Sequence, residues 1–70
     1  MPPIPGVNHR RAVRAFERGG FRVIREGKHI VMSNSQLTIV IPRNDPVNSY
    51  TMAGIVLQAG LTIDEFMTLL

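Results

Sequence analysis

The sequence FRVIREGKHIVMSNSQLTIVIP, residues 21–42, contains three short runs rich in β-branched and aliphatic residues. Such runs are typical of β-strands, and they are separated by Glu26-Gly27-Lys28 and by Ser33-Asn34-Ser35-Gln36, which are rich in turn-forming residues. Pro42 ends the third run because proline has no amide hydrogen to give to a neighbouring strand. The stretch therefore predicts three antiparallel strands in sequential order, at residues 21–25, 29–32 and 37–41.

Helical patterns flank this stretch on both sides. Residues 9–18 carry apolar side chains at helical spacing and follow Asn8, a favourable N-cap. A second helix is predicted over residues 48–59 by the same kind of spacing. A short third helix is predicted at the end of the chain, because Thr62 and Glu65 have the spacing of a capping box.

The predicted order of elements is α-β-β-β-α-α, an α+β fold with the helices packed on one face of a small three-stranded antiparallel sheet. Alternation places Ile24, Ile30 and Met32 on one side of the sheet, and it places Val23 and Val31 on the other. Both faces therefore carry apolar side chains, whereas two long helices cover only one. We expect the uncovered face, or a strand edge, to be buried in a homo-oligomer or against another protein.

The composition is that of a folded domain. A hydrophobic fraction of 44% with 19% charged residues is typical of a globular protein, so residues 1–70 are expected to form one domain. The prolines of residues 1–7 predict an extended segment without the pattern of a signal peptide. The absence of cysteine excludes disulfides and thiolate zinc sites, and no apolar run reaches the roughly 20 residues of a membrane span. These features predict a soluble cytoplasmic protein without membrane association.

Positive charge is concentrated in the first part of the chain. Eight Lys and Arg residues against five Asp and Glu residues give a net charge of +3. Most of the cations are arginines, the residue best suited to forked contacts with phosphate. A basic N-terminal half suits a polyanion such as nucleic acid, although solvated helix and strand positions would give the same pattern. The basic residues before residue 29 are Arg10, Arg11, Arg14, Arg18, Arg22, Arg25 and Lys28.

The predicted hairpin around His29 is the most informative segment for chemistry. His29 follows the turn glycine Gly27 and stands beside Lys28, with Arg25 across the hairpin. Histidine has an ordinary pKa of about 6.5, so it can accept or donate a proton near neutral pH. Such a group could act on an RNA 2′-hydroxyl while the neighbouring cations hold the phosphate. A strand histidine without a catalytic task fits the same spacing, and His9 is interpreted as a surface residue.

Metal and cofactor chemistry is disfavoured by the sequence. Two distant histidines, with acidic residues mostly in turns and the last helix, do not form a plausible ligand set. No glycine-rich phosphate loop or serine elbow is present. We therefore expect no cofactor and no bound metal.

Several short motifs together resemble the HicA family of toxin ribonucleases. They are the opening Met-Pro-x-Ile-Pro-Gly-Val, a helix ending in Gly20-Phe21, Gly27-Lys28-His29, a strand ending in Ile41-Pro42, Ala59-Gly60-Leu61-Thr62 and Glu65-Phe66. The resemblance covers essentially the whole chain in the right order. It implies a double-stranded-RNA-binding-domain-like fold, endoribonuclease (mRNA interferase) activity, and a role in stress response as the toxin of a toxin-antitoxin system. It also implies a HicB-like antitoxin as partner.

The resemblance carries the family's catalytic histidine over onto His29, as general acid or base of a metal-independent cleavage. Lys28 stands where the family has serine, and Asn44 stands where it usually has a second histidine. A non-catalytic RNA-binding or partner-binding module with the same fold is the alternative interpretation. The residues predicted to contact RNA are Lys28, Gly27, Arg25, Arg22, Arg43 and Asn44.

Overall fold

A computed structural model describes residues 6–70, and its elements follow the predicted α-β-β-β-α-α order. They are α1 (His9–Arg18), β1 (Arg22–Glu26), β2 (His29–Ser33), β3 (Thr38–Pro42), α2 (Ser49–Gln58) and α3 (Ile63–Leu69). Residues 1–5 of the segment predicted to be extended lie outside the described part, and Val7 forms an antiparallel bridge with Val47. Within residues 6–70 no single helix is long and apolar enough to cross a membrane, and only α2 and α3 together, bent by 100°, meet that length and composition.

The strands form one antiparallel sheet in the order β1-β2-β3. Ile30 stands opposite Ile41, Met32 stands opposite Ile39, and all four side chains are buried. Paired residues lie on the same face of a sheet, so these side chains define its buried face. The alternate positions form the opposite face, which we call the open face: Arg22, Arg25, His29, Val31, Ser33, Thr38, Val40 and Pro42.

The helices pack on the buried face, which confirms the predicted α+β architecture. The Phe16 ring of α1 joins two other aromatic rings in the core. Its centroid is 5.0 Å from that of Phe66 in α3 and 5.8 Å from that of Phe21, just before β1. The buried residues of the three helices are Ala12, Ala15, Phe16, Met52, Ile55, Val56 and Phe66.

The helix starts are fixed by the predicted capping residues. The Asn8 side-chain oxygen accepts from the Arg10 amide at 2.8 Å. At the start of α3, the Glu65 amide donates to Thr62 Oγ1 at 3.0 Å, and the Thr62 amide donates to Glu65 Oε1 at 2.8 Å. This reciprocal pair satisfies two amides that the helix itself leaves without partners, and it confirms the predicted capping box.

The predicted alternation in the first strand is wrong. A register shift separates Val23 from Arg25, so Val23 stands opposite Met32 and packs against the core. Ile24, which was predicted to share the side of Met32, is 57% exposed. An extra residue in one strand of an antiparallel pair changes the face on which the following side chains lie, so simple alternation fails there. Leu37, predicted as the first residue of the third strand, precedes β3 and is 40% exposed.

The backbone conformation between α2 and α3 requires a glycine at position 60. Its φ is +76°, and a Cβ there would lie 3.4 Å from Leu37 Cδ1. We expect Gly60→Ala to lower the free energy of unfolding by about 1 kcal/mol, because alanine is strained at positive φ. Gly54→Ala is the matched control, since an added Cβ inside α2 meets no atom within 4 Å. Because alanine has a higher helix propensity than glycine, the free energy of unfolding of this control is expected to rise by up to about 1 kcal/mol. Urea denaturation measures both, and a Gly60→Ala protein as stable as the wild type would contradict the expectation.

Candidate functional site

A pocket of about 450 Å³ lies on the open face beside the β1–β2 turn. We call it the hairpin pocket. It brings together four of the residues predicted to form the site, and it adds two valines. Its lining residues are Arg25, Gly27, Lys28, His29, Val31 and Val40.

The strand register explains this grouping. Arg25 stands opposite Val31, which in turn stands opposite Val40. His29 is two residues before Val31 on β2, and side chains two residues apart in a strand lie on the same face. The valines provide an apolar surface, and Arg25, Lys28 and His29 are exposed around it. The pocket can therefore attract an anionic group and place it beside an imidazole.

The hairpin tip is held by two hydrogen bonds. The Gly27 amide donates to the His29 carbonyl oxygen at 3.0 Å. Arg43 Nε donates to the Gly27 carbonyl oxygen at 2.8 Å. Arg43 lies in the loop after β3, so this contact ties that loop to the turn that carries Lys28 and His29. The predicted site residue Arg43 thus supports the pocket without lining it.

Two further predicted site residues lie outside the hairpin pocket. Arg22 is on the open face at the other end of β1, opposite Ser33. The Asn44 carbonyl oxygen accepts from the His9 amide at 3.3 Å and from His9 Nδ1 at 3.2 Å. The backbone of Asn44 therefore anchors the start of α1, and its exposed side chain takes no part in this contact.

The family model described as "HicA toxin of bacterial toxin-antitoxin" matches residues 9–61 of the 70-residue chain. The chain belongs to the HicA toxin family. The match extends from α1 to the end of α2 and so includes every residue of the hairpin pocket in this HicA protein. No curated protein and no solved structure matches the chain significantly. HicA membership implies, in general terms, a toxin-antitoxin partnership.

A second pocket, of about 380 Å³, lies between α1 and the other side of the hairpin of this HicA protein. We call it the helix pocket. Ile30, one of its lining residues, belongs to the buried face of the sheet, so the two pockets lie on opposite sides of the β1–β2 hairpin. This pocket was not predicted from the sequence, in which the four-residue spacing of Arg10 and Arg14 is the one sign of it. Its lining residues are His9, Arg10, Val13, Arg14, Glu17, Glu26, Ile30 and Arg43.

The two pockets of the HicA chain differ in the groups that they present. The hairpin pocket presents one imidazole, one ammonium and one guanidinium group, whereas the helix pocket presents one imidazole, three guanidinium groups and two carboxylates. Across the described residues, no three His, Cys, Asp or Glu side chains come close enough together to hold a metal ion.

Proposed function

We propose that residues 1–70 form one endoribonuclease domain, the mRNA-cleaving toxin of a toxin-antitoxin pair. The observation that carries the proposal is the hairpin pocket, where His29, Lys28 and Arg25 surround one apolar surface in a HicA-family chain. RNA is a polyanion, and the net charge of +3 favours its approach. The proposed reaction needs no metal ion and no cofactor.

In the proposed reaction His29 handles the protons. As general base it takes the proton of a ribose 2′-hydroxyl, whose oxygen attacks the adjacent phosphorus. As general acid it returns a proton to the 5′-oxygen when the P–O5′ bond breaks. Lys28 and Arg25 bind the scissile phosphate and stabilise the charge that develops on it. The products are a 2′,3′-cyclic phosphate, or the 3′-phosphate formed by its hydrolysis, and a 5′-hydroxyl.

The other predicted site residues are proposed to extend the RNA-binding surface. Arg22 would contact phosphate at the far end of the open face. Arg43 uses Nε to hold the Gly27 carbonyl oxygen, which leaves its two terminal nitrogens for a phosphate. The exposed side chain of Asn44 lies next to it in the chain. Gly27 allows close approach of RNA to the backbone, since it has no side chain.

A HicB-like antitoxin is the proposed protein partner, and it would cover the open face and mask the hairpin pocket. Val40 on the open face is 47% exposed and Val31 beside it is half-buried, so this side of the sheet offers apolar surface to a protein. A homo-oligomer formed through the same face is a further proposal. We place the toxin in the cytoplasm, where mRNA is available.

A non-catalytic RNA-binding module is the second candidate. It is favoured by the presence of only one histidine around the hairpin pocket and by Asn44 at the position where the family usually has another. Such a module would bind RNA with a strong dependence on salt, because phosphate contacts release counterions. It would leave the RNA at full length.

The two candidates are separated by incubating the purified protein with end-labelled RNA in the presence of EDTA. The ribonuclease proposal predicts shortened products in EDTA at the rate seen without it. Full-length RNA that is nevertheless bound at low salt would favour the binding module. Cleavage that stops when EDTA is added would contradict the metal-independent mechanism.

A further inference from the structure

The helix pocket has no role in the proposed cleavage, yet it is joined to the hairpin pocket by one residue. Arg43 lines the helix pocket and also holds the carbonyl oxygen of Gly27, which lines the hairpin pocket. An RNA strand bound at His29 that continues over the hairpin tip would enter the helix pocket. The volume of about 380 Å³ is sufficient for a nucleobase.

Two carboxylates distinguish this pocket from a simple phosphate site. Glu26 at the end of β1 and Glu17 on α1 both line it, and both are exposed. Across the described residues 6–70, neither carboxylate takes part in a side-chain hydrogen bond. Carboxylates repel phosphate and accept hydrogen bonds from neutral donors. A base edge is the part of RNA that offers such donors.

Guanine is the base whose edge fits a carboxylate best. Its N1–H and N2–H groups are adjacent donors, and they match the two oxygens of one carboxylate. Adenine, cytosine and uracil each offer a single donor group on that edge, beside acceptors that a carboxylate repels. A carboxylate therefore selects for guanine in the same way that bidentate contacts select bases in DNA.

The rest of the helix pocket suits the remainder of a nucleotide. Val13, which is half-buried, offers apolar surface to the face of a base. Arg10 and Arg14 lie one turn apart on α1, within reach of a phosphate. His9 Nδ1 donates to the Asn44 carbonyl oxygen, which leaves Nε2 of the neutral ring as a hydrogen-bond acceptor for an N–H or O–H group of the nucleotide.

We propose that the helix pocket is a guanine-binding subsite and that Glu26 accepts the two hydrogen bonds from the guanine edge. Glu26 stands opposite Ile30 and directly precedes the turn glycine Gly27, which places it at the side of the pocket nearest His29. The subsite binds the base of a nucleotide next to the one whose 2′-hydroxyl attacks the phosphorus. This inference rests on the proposed function for its ligand, RNA.

Binding of 2′-O-methyl oligonucleotides tests the subsite without cleavage, because they have no free 2′-hydroxyl. The probes are uridine pentamers with guanosine, inosine, adenosine, cytidine or uridine at the centre, and affinity is measured by fluorescence anisotropy at one salt concentration. Inosine is the closest control, since it lacks only the N2 amino group of guanosine. We expect the guanosine probe to bind about tenfold more tightly than each of the others.

The Glu26→Gln protein is expected to lose this preference, because an amide offers one acceptor in place of two. Asp64→Asn removes the same charge from α3, away from both pockets. This variant is expected to keep the preference for guanosine. Equal binding of all probes by the wild type, or a guanosine preference that survives in Glu26→Gln, would overturn the subsite and leave the ribonuclease proposal intact. No binding of any probe would overturn the subsite together with the proposed RNA surface, and cleavage of unmodified RNA tests the proposed function separately.

Discussion

His29→Ala is expected to lower the rate of RNA cleavage by about 10² to 10⁴-fold, the usual contribution of a general acid or base. The variant should also fail to arrest growth when it is expressed without an antitoxin. Because His29 is exposed, its replacement should change the free energy of unfolding by no more than about 0.5 kcal/mol. Initial rates on a labelled RNA, with thermal melts of both proteins, measure the two quantities.

Gln36→Ala is the control for this variant. Gln36 is an exposed polar residue in the other turn of the sheet and lines neither pocket, so its replacement should leave cleavage unchanged. Equal growth arrest and equal RNA decay in wild type and His29→Ala would remove the histidine from the mechanism. The hairpin pocket would then be a binding surface alone.

Phe16→Ala is expected to lower the free energy of unfolding by about 3 to 5 kcal/mol. The Phe16 side chain is fully buried and contacts the rings of Phe21 and Phe66, so its removal leaves a cavity where α1, α3 and the sheet meet. A domain of this length has a total stability at the low end of the usual range of about 5 to 15 kcal/mol. We therefore expect a largely unfolded protein at 37 °C, measured by circular dichroism in urea and on heating.

Tyr50→Ala is the matched control for the loss of an aromatic ring. Tyr50 is 61% exposed on α2, so its replacement should change stability by about 0.5 kcal/mol or less. If Phe16→Ala unfolds at the same temperature and urea concentration as Tyr50→Ala, the core described above is wrong.

The elements that the sequence predicted best are those encoded by neighbouring residues. The bounds of α1 follow from Asn8 before it and the apolar spacing within it, and the start of α3 follows from Thr62 and Glu65. Capping and periodicity act over a few residues, so they can be read without knowing the tertiary structure. The grouping of Gly27, Lys28 and His29 at one turn was predicted for a similar reason, since these residues are consecutive.

The features that were missed depend on contacts between distant residues. The irregular pairing at Val23 to Arg25 is set by how β1 meets β2, and the strand sequence itself contains no sign of it. The contact between Arg43 and Gly27 joins residues 16 positions apart. The helix pocket combines α1, the end of β1 and the loop after β3. No spacing along the chain relates Glu26 to Arg14, so this pocket became visible only in the folded structure.

The proposed cleavage of RNA in the hairpin pocket goes through a 2′-hydroxyl. The critical substrate is an oligonucleotide that has 2′-O-methyl groups at every position except one ribose next to a guanosine. It is incubated with the wild-type protein in EDTA, and the products are analysed by mass spectrometry. We predict a single cleavage, on the 3′ side of that ribose, which leaves a 2′,3′-cyclic phosphate or 3′-phosphate and a 5′-hydroxyl. Cleavage at a 2′-O-methyl position, or products with a 5′-phosphate, would rule out attack by the 2′-hydroxyl.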